Sequence, residues 1–254
     1  MRTVHTIADL KQALDPADAT GLVPTMGAFH DGHLALFRAA REECDLVVVS
    51  LFVNPAQFDA PEDLERYPRT EERDARLAEE AGVDVLFCPA VEELYPPGFQ
   101  TWVDVEELSR SLEGRYRPGH FRAVTTVCCK LFNIVRPHRA YFGQKDAQQV
   151  AVLRRMVDDL NLEVEIRVLP TVRDADGLAL SSRNELLSPD ERAKALALPR
   201  ALATRDPERA RALLNGLQVD YLDIADFEPR VLAAAVRVGK TRLIDNVPLE
   251  GETA

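Results

Sequence analysis

The first candidate site is a pair of histidines at the start of a predicted helix. In the segment PTMGAFHDGH, Pro24–His33, an apolar strand ends in a glycine-containing turn, and His30 and His33 open the helix that follows. The first turn of a helix carries unpaired backbone N–H groups and the positive end of the helix dipole, which favour anions. Imidazoles placed there can donate to the charge that develops on a phosphoryl group during its transfer. The alternative, two incidental histidines in a turn, explains this placement poorly.

A second candidate segment is the turn GQKD, Gly143–Asp146, directly after a predicted strand that ends at Phe142. Open α/β sheets bind ligands at the carboxyl ends of their strands. Lys145 could hold a phosphate as a point charge, and Asp146 could orient a ribose hydroxyl or a metal-bound water. Taken alone, the segment is explained equally well as an ordinary turn between a strand and a helix.

A third segment, LSSRN at Leu180–Asn184, combines two hydroxyls with a guanidinium. Such a group makes a credible phosphate clamp, since arginine pairs with phosphate through charge-assisted hydrogen bonds. The alternative is a turn in which a serine caps a short helix.

Two glutamines stand close to these segments along the chain. Gln57 follows the buried run that ends at Val53, and Gln149 follows Asp146 by three positions. Amide side chains can hold hydroxyls and a carboxylate without adding charge. The alternative is that both are solvated loop residues. Gly239-Lys240-Thr241 resembles the end of a phosphate loop, but Ala234 stands where that motif needs glycine, so we interpret it as a hairpin turn.

The hydrophobic pattern indicates the elements that position these residues. A continuous β-branched run over 45–53 is typical of a strand buried on both faces of a parallel sheet, and strand and helix signals alternate through the first two thirds of the chain. This alternation predicts an α/β fold with a doubly wound parallel sheet. The predicted strands are 21–26, 45–53, 83–88, 139–142 and 162–169, and the predicted helices are 33–43, 70–81, 121–135 and 147–160, the last with Val150, Leu153, Val157 and Leu160 as its apolar stripe.

The sequence pattern of the chain changes after about Asp176. Ser188-Pro189-Asp190-Glu191 is a capping box that opens a helix to about Ala203, and Asp206-Pro207 opens another that ends at Gly216. Three strands follow at 219–224, 231–238 and 241–247, with no long helix between them, which predicts a small antiparallel sheet. We place a domain boundary near residue 175, giving a larger domain 1–175 and a smaller α+β domain 176–254.

Composition excludes several classes of protein. The chain has 254 residues, of which 46% are hydrophobic and 29% charged, which is typical of a globular protein. A net charge of -11 disfavours nucleic acid and anionic membranes as partners. The longest apolar stretch, LVVVSLFV, is too short to cross a bilayer, and the first residues are not a signal peptide. Cys44, Cys88, Cys128 and Cys129 form no CxxC pair, so we expect free thiols in a reducing cytoplasm and no zinc site.

Five ordered motifs together resemble the pantoate–β-alanine ligase family, a branch of the HIGH-type nucleotidyltransferases. They are PTMGAFHDGH, SLFVNPAQF, RYRPGHFRAV, YFGQKDAQQ and LALSSRNELLSP. The resemblance implies a Rossmann-like domain followed by a smaller C-terminal domain that acts as a mobile lid. It also implies ATP-dependent condensation of (R)-pantoate with β-alanine to pantothenate, through a pantoyl adenylate, with release of pyrophosphate and AMP.

The resemblance also implies roles for individual residues. The catalytic set would be His30, His33, Lys145, Ser181 and Arg183, and no residue is assigned as a direct metal ligand. Gln57 would hold pantoate and lie near β-alanine, and Gln149 would hold pantoate. The implied ATP-binding residues are Met26, Gly27, Ala28, Phe29, His30, Asp31, Gly32, His33, Gly143, Gln144, Lys145, Asp146, Val172, Leu180, Ser181, Ser182 and Arg183.

Further expectations follow from the same resemblance. Mg²⁺ would accompany ATP, and a cytoplasmic homodimer would form through the N-terminal domain. The second domain is shorter than is usual in the family, and the reduction lies after Arg200. Two alternatives remain: another HIGH-type nucleotidyltransferase, which would share His30 and His33 but not the segments around Gln57 and Gln149, or a nucleotide-binding module without catalytic activity. Steady-state turnover would separate the last from an enzyme.

Overall fold

The computed structural model describes residues 1–14, 19–59 and 61–249. The described residues form two compact units. The first comprises Met1–Phe142 and Val152–Leu169, and the second comprises Gly143–Ala151 and the residues from Pro170 onward. The short segment Gly143–Ala151 therefore groups with the later residues, which a single division near residue 175 does not anticipate. The assignment of 1–175 and 176–254 to two functional domains stays a prediction.

The first unit is built on a six-stranded sheet in the order β1-β4-β3-β2-β5-β6. Four neighbouring pairs, β1/β4, β4/β3, β3/β2 and β2/β5, run parallel. From β2 near the centre the chain moves outward through β3 and β4, and it then continues on the other side of β2 with β5 and β6, which is a doubly wound topology; β1, the first strand, lies at the edge beside β4. The α/β class is confirmed. The strands are β1 Arg2–Val4, β2 Thr20–Thr25, β3 Leu46–Leu51, β4 Val85–Phe87, β5 Arg139–Gly143 and β6 Glu165–Leu169.

In the described part of the chain up to Leu169 there are eight α-helices and two short 3-10 helices, of which Gln144–Asp146 and the start of α8 fall in the second unit. The four predicted helices are confirmed to within two residues at each end. The sequence pattern misses the helices of four to seven residues, because so short a segment shows no helical periodicity. The helices are α1 Ile7–Ala13, α2 Asp31–Glu43, α3 Pro61–Arg66, α4 Glu71–Glu80, α5 Val91–Leu94, α6 Leu112–Tyr116, α7 His120–Val135 and α8 Ala147–Asp159, and the 3-10 helices are Pro55–Gln57 and Gln144–Asp146.

The core of the first unit centres on β3. Val47, Val48 and Val49 are all buried, as the continuous β-branched run predicts for a strand covered on both faces. In α8, Val150, Leu153 and Val157 are buried as predicted, but Leu160 is exposed. The prediction for Leu160 is wrong because α8 ends at Asp159, so the next residue leaves the helical stripe.

An ionic network joins α2 to the adjoining strands of the same unit. Glu43 at the end of α2 accepts from Arg167 at 2.7 Å and from the Tyr141 hydroxyl at 3.0 Å. The Arg167 guanidinium lowers the pKa of the Glu43 carboxyl, and burial together with Cys44 and Glu43 raises the pKa of Tyr141. The contacts tie the carboxyl end of α2 to β5 and β6.

The second unit packs helices against a three-stranded antiparallel sheet. The strands are β7 Gln218–Ala225, β8 Val231–Val238 and β9 Thr241–Pro248, in that order, and the Gly239-Lys240 turn joins β8 to β9 as a hairpin. The helices are α9 Pro189–Ala195, α10 Ala197–Leu202 and α11 Pro207–Leu213, preceded by a 3-10 helix at Ser182–Leu186. Leu198, Leu202, Leu232 and Val236 belong to its buried core.

The capping box at Ser188 is confirmed, because Ser188 and Glu191 exchange hydrogen bonds. The single helix predicted to continue to about Ala203 is wrong, since α9 ends at Ala195 and α10 begins at Ala197. Pro199 accounts for the break. It has no N–H to donate to the carbonyl of Ala195, and its ring crowds that carbonyl.

Candidate active-site residues in each unit

The two histidines of the first unit are held by hydrogen bonds to the start of α2. His30 is the N-cap residue, and its Nδ1 accepts the backbone N–H of Gly32 at 3.2 Å. The Nδ1 of His33 accepts the backbone N–H of His30 at 3.3 Å, and the two ring centroids are 4.2 Å apart. A nitrogen that accepts carries no proton, so each neutral ring holds its proton on Nε2. In this tautomer, the ring N–H of each histidine is at Nε2.

The turn before the histidines is held by a buried carboxylate. Asp74 on α4 accepts the backbone N–H of Ala28 and of Phe29, both at 2.8 Å, and the Thr70 hydroxyl at 3.0 Å. Its side chain is 0% exposed. Ala28 has a φ of 53°, in the left-handed region where a side chain is strained, and these hydrogen bonds hold it there. The backbone N–H groups of Ala28 and Phe29 are thus engaged within the protein.

Gln57 in the first unit is 8% exposed and has a fixed amide. Asn54 donates from Nδ2 to Gln57 Oε1 at 2.9 Å and to the carbonyl of Ala123 at 3.3 Å. The Oδ1 of Asn54 accepts the backbone N–H of Ala56, which fixes the amide of Asn54 in turn. Since Oε1 of Gln57 accepts, its Nε2 is oriented as a donor.

The backbone of Gln57 is held as well. Its carbonyl accepts from Arg117 Nη2 at 3.0 Å, and Nδ1 of His120 lies 3.3 Å from the same oxygen. Both residues lie in the motif RYRPGHFRAV, which sequence reasoning noted without assigning roles to single residues. Burial raises the pKa of the nearby Tyr95 phenol to about 12, so that group stays protonated at neutral pH.

In the second unit, the turn Gly143–Asp146 forms a 3-10 helix with half-buried side chains. The Lys145 Nζ lies 3.7 Å from Asp146 Oδ1. An added Cβ at Gly143 would meet no atom of the described residues within 4 Å, so none of their packing contacts requires glycine there. Gln149 lies in the first turn of α8 and is half-buried.

The other two predicted nucleotide segments of this unit are joined by backbone hydrogen bonds. Leu180 donates its N–H to the carbonyl of Val172 at 3.0 Å, beside an antiparallel bridge between Arg173 and Ala179. Ser181 is the N-cap of the 3-10 helix and accepts the backbone N–H of Arg183 at 3.3 Å. The capped-turn interpretation is therefore correct for Ser181, and it leaves the hydroxyl hydrogen as a donor.

The structure thus groups the predicted residues by unit. The first unit holds Met26 to His33 and Gln57, and the second holds Gly143 to Asp146, Gln149, Val172 and Leu180 to Arg183. Sequence reasoning missed Asn54, whose signal was its place three residues before Gln57 in NPAQF. It also missed Asp74, for which no local pattern exists, because its partners are about 45 positions away along the chain.

No three His, Cys, Asp or Glu side chains within residues 1–14, 19–59 and 61–249 form a group that could hold a metal ion. The four cysteines are free thiols. None of the helices in these ranges is long and apolar enough to cross a membrane.

Comparisons with known proteins place the chain in a family. The family model for pantoate-beta-alanine ligase matches residues 2–248. A pantothenate synthetase from Heliobacterium modesticaldum is 52% identical, with 98% of this chain and 100% of the relative covered. The alignment spans 280 residues, which exceeds the whole length of this chain, so the chain is shorter than this relative.

Solved structures agree with the sequence comparison. Pantothenate synthetase from Thermus thermophilus is 48% identical, with a TM-score of 0.94 over 99% of this chain and 100% of that one. Pantoate-beta-alanine ligase from Francisella tularensis is 34% identical, with a TM-score of 0.88 and full coverage of both chains, and its structure is complexed with beta-gamma ATP and beta-alanine.

Proposed function

The chain belongs to the pantoate–β-alanine ligase family and is therefore a ligase, and we propose that it condenses (R)-pantoate with β-alanine in two steps. In the first step, a carboxylate oxygen of pantoate attacks the α-phosphorus of ATP. The bond from that phosphorus to the pyrophosphate oxygen breaks, which yields pantoyl adenylate and pyrophosphate. In the second step, the amine of β-alanine attacks the acyl carbon, AMP leaves, and pantothenate forms.

The first step needs charge stabilisation rather than a base. Pantoate is already a carboxylate at neutral pH. Negative charge increases on the α-phosphoryl oxygens and on the leaving pyrophosphate, and donors aimed at these oxygens lower the barrier. We assign this role to the Nε2–H groups of His30 and His33, the ammonium of Lys145, the hydroxyl of Ser181 and the guanidinium of Arg183. His33 is the principal catalytic donor in this scheme.

The observation that carries the proposal is that both Nδ1 atoms accept backbone N–H groups, that of His30 from Gly32 and that of His33 from His30. It turns both rings into Nε2–H donors before any ligand arrives. Donors that are already oriented need no reorganisation when charge develops, which is the condition for effective electrostatic catalysis.

Pantoate is assigned to the two glutamines. Asn54 orients the Gln57 amide so that its N–H groups can donate to the acid, and Gln149 supplies a second neutral amide. We place β-alanine near Gln57. We assign ATP to Met26 to His33, Gly143 to Asp146, Val172 and Leu180 to Arg183.

Mg²⁺ is proposed to enter with ATP as part of the substrate. Magnesium in phosphoryl-transfer sites is held mainly by phosphate oxygens and water, with one or two carboxylates. Asp146 is the carboxylate beside Lys145 that could hold a metal-bound water. We further propose a cytoplasmic homodimer that forms through the N-terminal domain.

The test is an assay with ATP, pantoate and β-alanine that scores AMP and pantothenate. Exchange of labelled pyrophosphate into ATP should require pantoate and Mg²⁺ but not β-alanine. Exchange that strictly needs β-alanine would overturn the stepwise scheme. Turnover of a different acid or nucleotide in place of pantoate would favour another HIGH-type nucleotidyltransferase, and no turnover at all would favour a module that only binds nucleotide.

A further inference from the structure

Asn246 on β9 makes three hydrogen bonds to the turn that carries Lys145. Its Nδ2 donates to the carbonyl of Gln144 and to that of Lys145, both at 2.9 Å. Its Oδ1 accepts from Gln144 Nε2 at 3.1 Å. The side chain is 3% exposed, so these bonds are shielded from water. All of these residues belong to the second unit.

The preceding residue, Asp245, links the same strand to the other nucleotide segments. It pairs with both Nη atoms of Arg173, at 2.7 and 3.0 Å, and its side chain is 1% exposed. Its Oδ1 also accepts the backbone N–H of Asn246 at 2.8 Å. Arg173 follows Val172, whose carbonyl accepts the N–H of Leu180. The dipeptide Asp245-Asn246 thus connects Gly143–Asp146, Val172 and Leu180–Arg183.

We propose that Asn246 is a positioning residue for Lys145, and that Asp245 holds Asn246 and the Arg173 segment in one arrangement with it. The inference deepens the proposed function, since it rests on Lys145 acting on ATP. Asn246 has a planar amide whose two donors and one acceptor match three groups of the turn, and a side chain in this arrangement fixes both backbone and amide orientation.

The physical reason lies in the flexibility of lysine. Its ammonium sits at the end of a stem with four rotatable bonds, so its position depends on how well the backbone that carries it is fixed. Small displacements of a catalytic group cost large factors in rate, about 10²-fold for 1 Å. A support that holds the turn from both sides of Lys145 reduces the volume that the ammonium explores.

If Asn246 only stabilises the fold, its substitution should act independently of Lys145. A double-mutant cycle separates this structural role from a positioning role. Lys145→Ala, Asn246→Ala and the double variant are compared for ATP affinity and for pantoate-dependent pyrophosphate exchange. If Asn246 positions Lys145, Lys145→Ala should lower the rate of pyrophosphate exchange by about 10²-fold in the parent protein. In the Asn246→Ala background, the same substitution should lower that rate by no more than about 3-fold. ATP affinity should show coupling of the same sign. Additive effects on both quantities would overturn the proposal.

Two further variants serve as matched comparisons. Asn246→Asp keeps the size of the side chain but sets a carboxylate against two carbonyl oxygens, so we expect it to lose at least as much activity as Asn246→Ala. Asp220→Asn changes another carboxylate of the same sheet, one on β7 that pairs with Arg237 and Arg242. When its loss of thermal stability is comparable to that of Asn246→Ala, Asp220→Asn should keep the rate of pyrophosphate exchange within about 3-fold of the parent. It should also show no coupling to Lys145→Ala.

Hydrogen exchange of the peptide that spans residues 143–147 gives a readout that does not depend on activity. Asn246→Ala should accelerate exchange there, and Asp220→Asn should not; unchanged exchange in Asn246→Ala would overturn the proposal. Should Asn246→Ala fail to fold, Asn246→Ser replaces it in the cycle. A parent that binds ATP but does not condense pantoate would overturn the proposed function, and the ATP-affinity cycle would still decide the role of Asn246. A parent that does not bind ATP would overturn both.

Discussion

The carboxylate of Asp74 accepts the backbone N–H of Ala28 at 2.8 Å, although 46 positions separate the two residues along the chain. A second bond, from the N–H of Phe29, gives the carboxylate two backbone donors. These two amides are consequently not the ones that meet a phosphate. We propose that recognition at this turn falls to the imidazoles of His30 and His33, whose Nδ1 atoms also accept backbone N–H groups. The turn before α2 thus serves as a scaffold that orients the side chains of His30 and His33.

Asp74→Asn should disturb this scaffold more than its small chemical change suggests. One carboxylate oxygen becomes an NH₂ group, which cannot accept and which faces a backbone N–H or the Thr70 hydroxyl. Leaving such a buried group unsatisfied costs about 1–3 kcal/mol of unfolding free energy. We also expect the adenylation rate to fall by about 10-fold or more, because a misplaced turn misplaces both histidines. Denaturant unfolding and pyrophosphate exchange measure the two effects, and exposed Asp63→Asn is the control. Unchanged exchange would contradict the scaffold role.

Replacements of His33 can tell its two nitrogens apart. Asparagine places an oxygen near the position of Nδ1 and keeps the hydrogen bond to the N–H of His30, whereas glutamine extends an NH₂ toward the position of Nε2. If the Nε2–H donor acts on the phosphoryl group, His33→Asn should lose about 10² or more in adenylation rate and His33→Gln clearly less. The free energy of unfolding should fall more in His33→Gln than in His33→Asn. If His33→Asn instead keeps more of the adenylation rate than His33→Gln, the hydrogen bond to Nδ1 matters for catalysis and the Nε2–H donor does not.

Glutamate at the pantoate positions should weaken binding of the acid selectively. Gln57→Glu and Gln149→Glu are nearly isosteric, but each replaces donors by a negative charge that faces an anionic substrate. We expect pantoate KM to rise by an amount equivalent to about 2 kcal/mol or more, and ATP affinity without pantoate to change little. The effect on β-alanine should be larger for Gln57→Glu. Asn133→Asp, at an exposed amide of α7, is the control, and equal losses of ATP and pantoate binding would refute the assignment.

Asn54→Asp tests whether the orientation of the Gln57 amide matters. A carboxylate at residue 54 accepts only, so it would draw Gln57 Nε2 toward itself and turn Oε1 toward pantoate. Pantoate KM should then rise about as far as in Gln57→Glu, although Gln57 itself is intact. Adding Gln57→Glu to this variant should cost little more, and fully additive losses would contradict the link between the two residues.

Buried thiols should make the protein less stable at high pH. Burial raises the pKa of Cys88 and of Cys128 to about 12, against 9.0 for an ordinary thiol. A pKa that is raised by folding contributes stability that is present below pH 9 and is lost as pH rises toward 12, because the unfolded thiol ionises first. Cys128→Ala should flatten the fall in unfolding free energy between pH 9 and 11. Cys129→Ala, at a half-buried thiol, should flatten it less, and an unchanged slope in Cys128→Ala would contradict the prediction.

The sequence by itself was sufficient for the α/β class and for the main strands and helices, whereas the roles of the site residues stay a prediction. The run Leu46–Leu51 predicts a buried parallel strand because burial on both faces requires apolar side chains at every position. The segment His30–His33 predicts an anion-binding helix start because that chemistry is local in sequence. The five motifs were enough for the family.

Only the tertiary structure decided how these residues are held. Asp74 and Ala28, Gln57 and Arg117, and Asn246 and Lys145 are each separated by 46 to 101 positions, and nothing in local periodicity couples such pairs. The turn at Lys145 groups with the antiparallel sheet of the second unit because Asn246 bonds to it, which strand and helix signals do not report. Local pattern reflects backbone preference and burial, whereas the orientation of a catalytic side chain depends on hydrogen bonds that form only once distant segments have packed together.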